Sequence, residues 1–85
     1  MTTENTTKLP PDERIAVILS AAVDVANRDG LSEVTFRTVA ARCVIRTKPR
    51  TVAHYFKIGA LRRAVISDAR SAQTVRDDAV SMGIL

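Results

Sequence analysis

Cysteine and aromatic residues are scarce in this sequence, and each shortage narrows the possible structures. The single cysteine, Cys43, cannot form an internal disulfide, and no Cys/His cluster has the spacing of a zinc site. Only 4% of the 85 residues are aromatic, and most apolar residues are Ala, Val, Ile and Leu, which favours closely packed helices over an extended sheet. The lone thiol fits a reducing cytoplasm.

Long apolar runs are also missing. No stretch reaches the ~20 apolar residues that a membrane-spanning helix needs, and the amino terminus lacks the apolar segment of an export signal. Residues 1–8 are polar and rich in threonine, so we predict a disordered arm, followed by one domain over residues 9–80 and a short tail over residues 81–85. We expect a soluble cytoplasmic protein that is not an enzyme and that needs no cofactor or metal, because no catalytic motif is present.

Acidic residues are absent from Val34 through Ser67, although the net charge of the whole chain is only +4. The basic residues inside this window are Arg37, Arg42, Arg46, Lys48, Arg50, Lys57, Arg62 and Arg63. Such local positive charge suits a polyanion, and nucleic acid is the default candidate inside a cell. An anionic membrane surface is the weaker alternative, since no segment combines a basic face with large exposed apolar residues.

Apolar residues recur every three or four positions both before and after Val34, where the acid-free window begins. This spacing predicts a helix on each side of that point. Helix 1 is expected to begin near Pro11 and to end at Gly30, after which Leu31 and Val34 turn back onto the core. Helix 2 is expected to follow an N-cap at Thr35 and to span about two turns.

The remaining chain is predicted to contain a turn and two further helices. Val44 to Thr47 form the turn, and helix 3 is capped by Thr47, has Pro49 in its first turn and ends at about Phe56. Helix 4 is expected from about Gly59 to near Val80, with a second half that projects into solvent or packs on another chain. A short helix that exposes basic and polar side chains after such a turn is typical of an element that enters the major groove of DNA.

Several segments carry a resemblance to a known family. They are Arg14–Ala26, Gly30–Leu31, Val34–Arg37 and Val39–Arg42 for the first two helices, and Thr51–Phe56 with Leu61–Val65 for the third and fourth. Over roughly residues 12 to 66 the chain resembles the amino-terminal DNA-binding domain of TetR-type (tetracycline-repressor-like) transcriptional regulators. The resemblance implies an all-α bundle with a homeodomain-like or TetR-like helix-turn-helix, to which the apolar periodicity adds a longer fourth helix.

The resemblance also implies a function: a small sequence-specific DNA-binding regulator, most simply a repressor, that reads double-stranded DNA with helix 3. The candidate DNA-binding residues are Thr35, Arg37, Arg46, Lys48, Arg50, Thr51, His54, Tyr55 and Lys57. Arg50 is the first candidate for a base contact, and His54 with Tyr55 for phosphate contacts. Thr51 has two open interpretations, a groove contact or a hydroxyl bonded to its own helix. Arg62 and Arg63 either extend the phosphate contacts or merely cover helix 4.

The sequence departs from the family pattern at three places. The turn between helices 2 and 3 contains no glycine and is about two residues longer, and the linker before helix 4 is about one residue shorter. The second domain, which in this family binds an inducer and forms the dimer, has no counterpart here, so no small-molecule inducer is expected and a homodimer would use helix 4 or another surface.

Two other functions stay open. A protein-interaction module would use helix 4 and the carboxy-terminal tail to bind and inhibit a cellular protein or another regulator. A recombination accessory factor would bend DNA without repressing a promoter.

Overall fold

The structure, a computed structural model, describes residues 10–85. These residues contain five α-helices and one short 3₁₀ helix. In chain order they are α1 (Pro11–Asp29), the 3₁₀ helix (Leu31–Glu33), α2 (Phe36–Arg42), α3 (Pro49–Tyr55), α4 (Ile58–Ser67) and α5 (Gln73–Ser81). No strand occurs within residues 10–85, and the predicted small all-α bundle is confirmed. The arm predicted for residues 1–8 lies outside the described residues.

The first helix has the predicted bounds, and local chemistry explains both ends. Pro11 occupies the first turn, where a missing N–H costs nothing, and Asp12 and Glu13 lie at the positive end of the helix dipole. At the other end the Gly30 N–H donates to the Ala26 carbonyl, and Gly30 has φ 105° and ψ 156°. This combination is essentially restricted to glycine, so the chain leaves α1 through a conformation that glycine makes accessible.

The core is made of small aliphatic side chains drawn from every helix. Its fully buried members of largest volume are Ile18, Leu31, Leu61, Val34, Val39, Val52, Val65 and Val75. The prediction that Leu31 and Val34 return to the core is confirmed, since both are 0% exposed. This packing holds α2 and α4 against α1 and α3 against α2, and it determines which face of each helix is left to solvent.

The predicted long fourth helix is wrong: α4 stops at Ser67, and a separate helix, α5, begins at Gln73. The Asp68 carboxylate accepts hydrogen bonds from the backbone and side chain of Arg70, and the Ser71 hydroxyl donates to the Val65 carbonyl in the last turn of α4. Such local side-chain bonds compete with helical ones and end the helix without glycine or proline.

The second half of the predicted helix does not project into solvent, because α5 folds back onto α1 and the 3₁₀ helix. Val75 and Ala79 are 0% exposed. The Asp78 carboxylate accepts a 3.1 Å hydrogen bond from the Leu31 N–H. The side-chain amide of Asn27 in α1 donates to the Arg70 carbonyl (3.0 Å) and accepts from the Ala72 N–H (2.8 Å). The fifth helix is therefore an integral part of the domain.

None of the helices within residues 10–85 has the length and apolar character needed to cross a membrane.

Candidate nucleic-acid interface

The start of α2 is fixed by a reciprocal capping box. The Thr38 N–H donates to the Thr35 hydroxyl oxygen (3.1 Å), and the Thr35 N–H donates to the Thr38 hydroxyl oxygen (3.0 Å). Thr35 is therefore confirmed as the N-cap of α2. The adjacent Arg37 is exposed, so its guanidinium is accessible beside this helix end.

The connection between α2 and α3 spans residues 43–48, and the helix cap predicted at its end is wrong. Thr47 does not cap α3, because its hydroxyl donates to the Ile45 carbonyl (2.9 Å) and Lys48 occupies the N-cap without a side-chain cap bond. Val44 is 89% exposed, whereas Cys43 packs against the core. The connection thus leaves the apolar side chain of Val44 in solvent, two residues before the exposed Arg46.

Val52 sets the rotation of α3 about its axis. It is 0% exposed, and Arg50 and His54, two residues away on either side, lie roughly 160° around the helix from it. Both are exposed, as is Ala53. The outward face of α3 therefore presents Arg50, Ala53 and His54.

Two predicted site residues are less available than expected. Thr51 and Tyr55 are only partly exposed, and Tyr55 packs against the core instead of facing outward freely. The Tyr55 and His54 rings meet edge to face, with centroids 5.1 Å apart and planes at 88°. Tyr55 thus supports the adjacent His54 from the core side.

Lysine stands at the N-cap of both α3 and α4, where Ser, Thr, Asp or Asn would form a better cap. Lys48 and Lys57 make no side-chain cap hydrogen bond and are exposed. At the start of α4, the Lys57 cation is beside the free amide groups and the positive end of the helix dipole. This arrangement is unfavourable for the isolated helix and becomes favourable when an anion is nearby.

The exposed basic residues in the acid-free window keep their charge available. Within residues 10–85, Arg37, Arg46, Lys48, Arg50 and Lys57 form no ion pair. Arg42 differs, because its Nε lies 3.8 Å from a carboxylate oxygen of Asp24. That pair is exposed and contributes little stability, but it partly offsets the Arg42 charge.

Arg62 has a structural role that the sequence did not reveal. It is partly buried on α4, and its Nη2 donates to the Val34 carbonyl (3.2 Å), just before the cap of α2. Its Nε is buried and lacks a hydrogen-bond partner within the described chain. Arg62 therefore ties α4 to the start of α2, and a phosphate contact by this residue stays a prediction.

Cys43 lacks the environment of a reactive thiol. Partial burial raises the pKa of its thiol, and this effect exceeds the lowering by the charge of Arg14. Reactive thiols need a lowered pKa, so Cys43 serves as a core residue. No group of three or more His, Cys, Asp or Glu side chains able to hold a metal ion occurs within residues 10–85.

The nine predicted residues thus fall into two groups on neighbouring helices. Thr35 and Arg37 lie at the start of α2, and the others follow the connection, α3 and its two flanking lysines. Comparison of the chain with family models, with curated proteins and with solved structures gives no match.

Proposed function

We propose that the protein is a small DNA-binding transcriptional regulator, most simply a repressor, that places the outward face of α3 in the major groove. Binding at an operator would exclude polymerase or another regulator. In this proposal the protein works in the cytoplasm, on the nucleoid. A monomer would cover one half-site, so tight binding would require a second copy or an array of sites.

One observation carries the proposal: a 34-residue window, Val34 to Ser67, has no acidic residue, and its exposed basic side chains at Arg37, Arg46, Lys48, Arg50 and Lys57 form no ion pair within residues 10–85. A surface selected only for solubility mixes charges of both signs. Here Arg50 and His54 share the outward face of α3, while Lys48 and Lys57 stand at its two ends. Phosphate groups bind such cations, and an exposed arginine on a helix that fits the major groove can form hydrogen bonds with a guanine base.

The test is fluorescence anisotropy with duplexes selected from a random pool, measured between about 50 and 200 mM salt. We expect Arg50→Ala to weaken binding to the selected duplex by about 1–3 kcal/mol and to relax selectivity at one base pair. Lys48→Ala is expected to weaken binding to all duplexes alike and to reduce the slope of log K against log salt by about one.

Arg28→Ala is the matched control, because it removes an exposed positive charge from the last turn of α1, outside the acid-free window. It is expected to leave both affinity and salt slope close to those of the wild type. The proposal fails if the double variant Lys48→Ala/Arg50→Ala retains wild-type affinity and salt dependence, or if no duplex is retained at low salt.

A second candidate function is supported by exposed apolar side chains at the carboxy-terminal end. Val80 is 63% exposed and Leu85 is 68% exposed, and Leu85 lines a shallow groove of about 220 Å³ with Arg63, Ile66, Ser67 and Ile84. Exposed apolar side chains of this kind suit a protein partner. Val80→Ser with Leu85→Ser would abolish binding to such a partner without affecting DNA, whereas the α3 variants would have the opposite effect.

A further inference from the structure

Ala53 lies on the outward face of α3 with its methyl group exposed. It is one turn from Arg50 and adjacent to His54, and the burial of Val52 keeps all three on the solvent side. The face that we propose for the groove therefore contains a short apolar side chain beside cationic and polar ones.

A short side chain at this place has two consequences for a helix in a major groove. It lets the backbone approach the base edges, and it offers an apolar surface that cannot make hydrogen bonds. The apolar feature that a base pair presents in the major groove is the C5-methyl group of thymine, which alanine contacts favourably.

We propose that the Ala53 methyl group contacts the C5-methyl group of a thymine, so that Ala53 determines specificity at one base pair of the half-site. This inference rests on the proposed function. Side chains three residues apart on a helix have Cβ atoms about 5–6 Å apart, and base pairs rise about 3.4 Å along DNA. The thymine is accordingly expected within about two base pairs of the guanine assigned to Arg50.

The experiment replaces thymine by deoxyuridine, which lacks the methyl group. Duplexes are first selected from a random thymine-containing pool with the full chain, and each thymine of the enriched sequence is then changed to deoxyuridine one at a time. We expect one such change to weaken wild-type binding about fourfold, the factor that corresponds to one buried methyl group.

The matched variants are Ala53→Gly and Ala41→Gly, which each remove a methyl group from an exposed helical alanine, in α3 and α2 respectively. The readout is the ratio of thymine to deoxyuridine affinity within one variant, so a general loss of helix stability cancels. The ratio is expected to fall to about one in Ala53→Gly and to stay at about four in Ala41→Gly. Ala53→Ser keeps the helix more stable and should likewise lower the ratio.

Four results would overturn the inference. If the selected duplex binds but no thymine is sensitive to deoxyuridine, or if the ratio is unchanged in both Ala53 variants, Ala53 serves only as a helix former while the DNA-binding proposal stands. Retention of duplexes without any enriched sequence also excludes the contact. If the chain retains no duplex at all, the proposed function itself fails, and the thymine contact with it.

Discussion

Gly30 and Gly59 illustrate how differently one residue type acts at two positions. Gly30 has φ 105°, so any side chain there strains the backbone, whereas Gly59 lies in the first turn of α4 with nothing within 4 Å of a Cβ atom. We expect Gly30→Ala to lower the free energy of unfolding by about 1–3 kcal/mol. Gly59→Ala should raise it by about 0.4–1 kcal/mol, because alanine restricts the unfolded chain.

Urea unfolding followed by circular dichroism measures both changes, and Gly59→Ala is the control for the added methyl group. Equal effects of the two substitutions would show that the positive φ of Gly30 carries no strain. A Cβ atom added at Gly30 would lie 3.4 Å from the Asp78 carboxylate, an ordinary contact, so the expected loss comes from the backbone and not from a clash.

Helix ends show how far single residues could be predicted. Thr35 is predictable as a cap because it precedes an apolar-periodic segment, and the structure adds the reciprocal bond from Thr38. Thr47 has the same chemical character, but its hydroxyl bonds to Ile45 two residues earlier. A threonine hydroxyl can bond to several nearby backbone groups, and the choice among them depends on a loop conformation that the sequence pattern does not specify.

At the scale of elements, the break between α4 and α5 is the main feature that periodicity missed. Apolar residues keep helical spacing from Leu61 to Val75, and both of these are fully buried although they belong to different helices. The corner is held by hydrogen bonds with Asn27, which lies 43 residues from Arg70 and 45 from Ala72 in sequence. Such long-range partners are invisible to a local pattern, and Asp and Ser are weaker break signals than glycine or proline.

The Asp68–Arg70 pair makes this corner sensitive to acid. Hydrogen bonds from Arg70 lower the pKa of Asp68 to about 2. Because the folded-state pKa lies below the usual value of about 3.9, the contribution is complete above about pH 5 and declines as the pH falls through about 4 towards 2. We therefore expect Asp68→Asn to destabilise the protein at about pH 6 and to lose this disadvantage progressively below about pH 4.

The measurement is the difference in urea unfolding free energy between wild type and variant from about pH 6 to about pH 2.5. Asp77→Asn serves as the control, because it removes a carboxylate of α5 that forms no ion pair within residues 10–85. An Asp68→Asn difference that is constant with pH, or that grows in acid, would contradict the assigned pair. The effect is expected to be small, because the Arg70 side chain is 56% exposed and screened by solvent.

Across the whole molecule, the ion pairs within residues 10–85 involve the acid-free window at one residue, Arg42, which lies beside Asp24. The connection, α3 and the start of α4 contain no carboxylate, whereas the carboxylates of Asp68 and Asp78 bind within the corner and the contact between α5 and the 3₁₀ helix. The charge pattern that favours DNA binding was thus readable from the sequence, since it needs no knowledge of packing. The sequence did not reveal which basic residues of the window face outward, because their orientation depends on the burial of Val52 and Tyr55.

The fifth helix raises the question of how much chain the fold requires. Val75 and Ala79 are fully buried against the rest of the domain, and Asp78 binds the Leu31 N–H. Small domains are typically stable by only about 5–15 kcal/mol, and fully burying one valine contributes about 1.5–3 kcal/mol. We therefore expect a chain that ends at Ser67 to lose its cooperative thermal transition.

A chain that ends at Ser81 is the matched control, because it keeps α5 and removes only the tail that includes the partly buried Ile84. It should unfold cooperatively at a somewhat lower Tm than the full chain. Thermal unfolding followed by circular dichroism distinguishes the two truncations. If the chain ending at Ser67 unfolded at the Tm of the full chain, α5 would be dispensable for stability, and its contacts with α1 would need another explanation, such as holding Val80 in place for a partner.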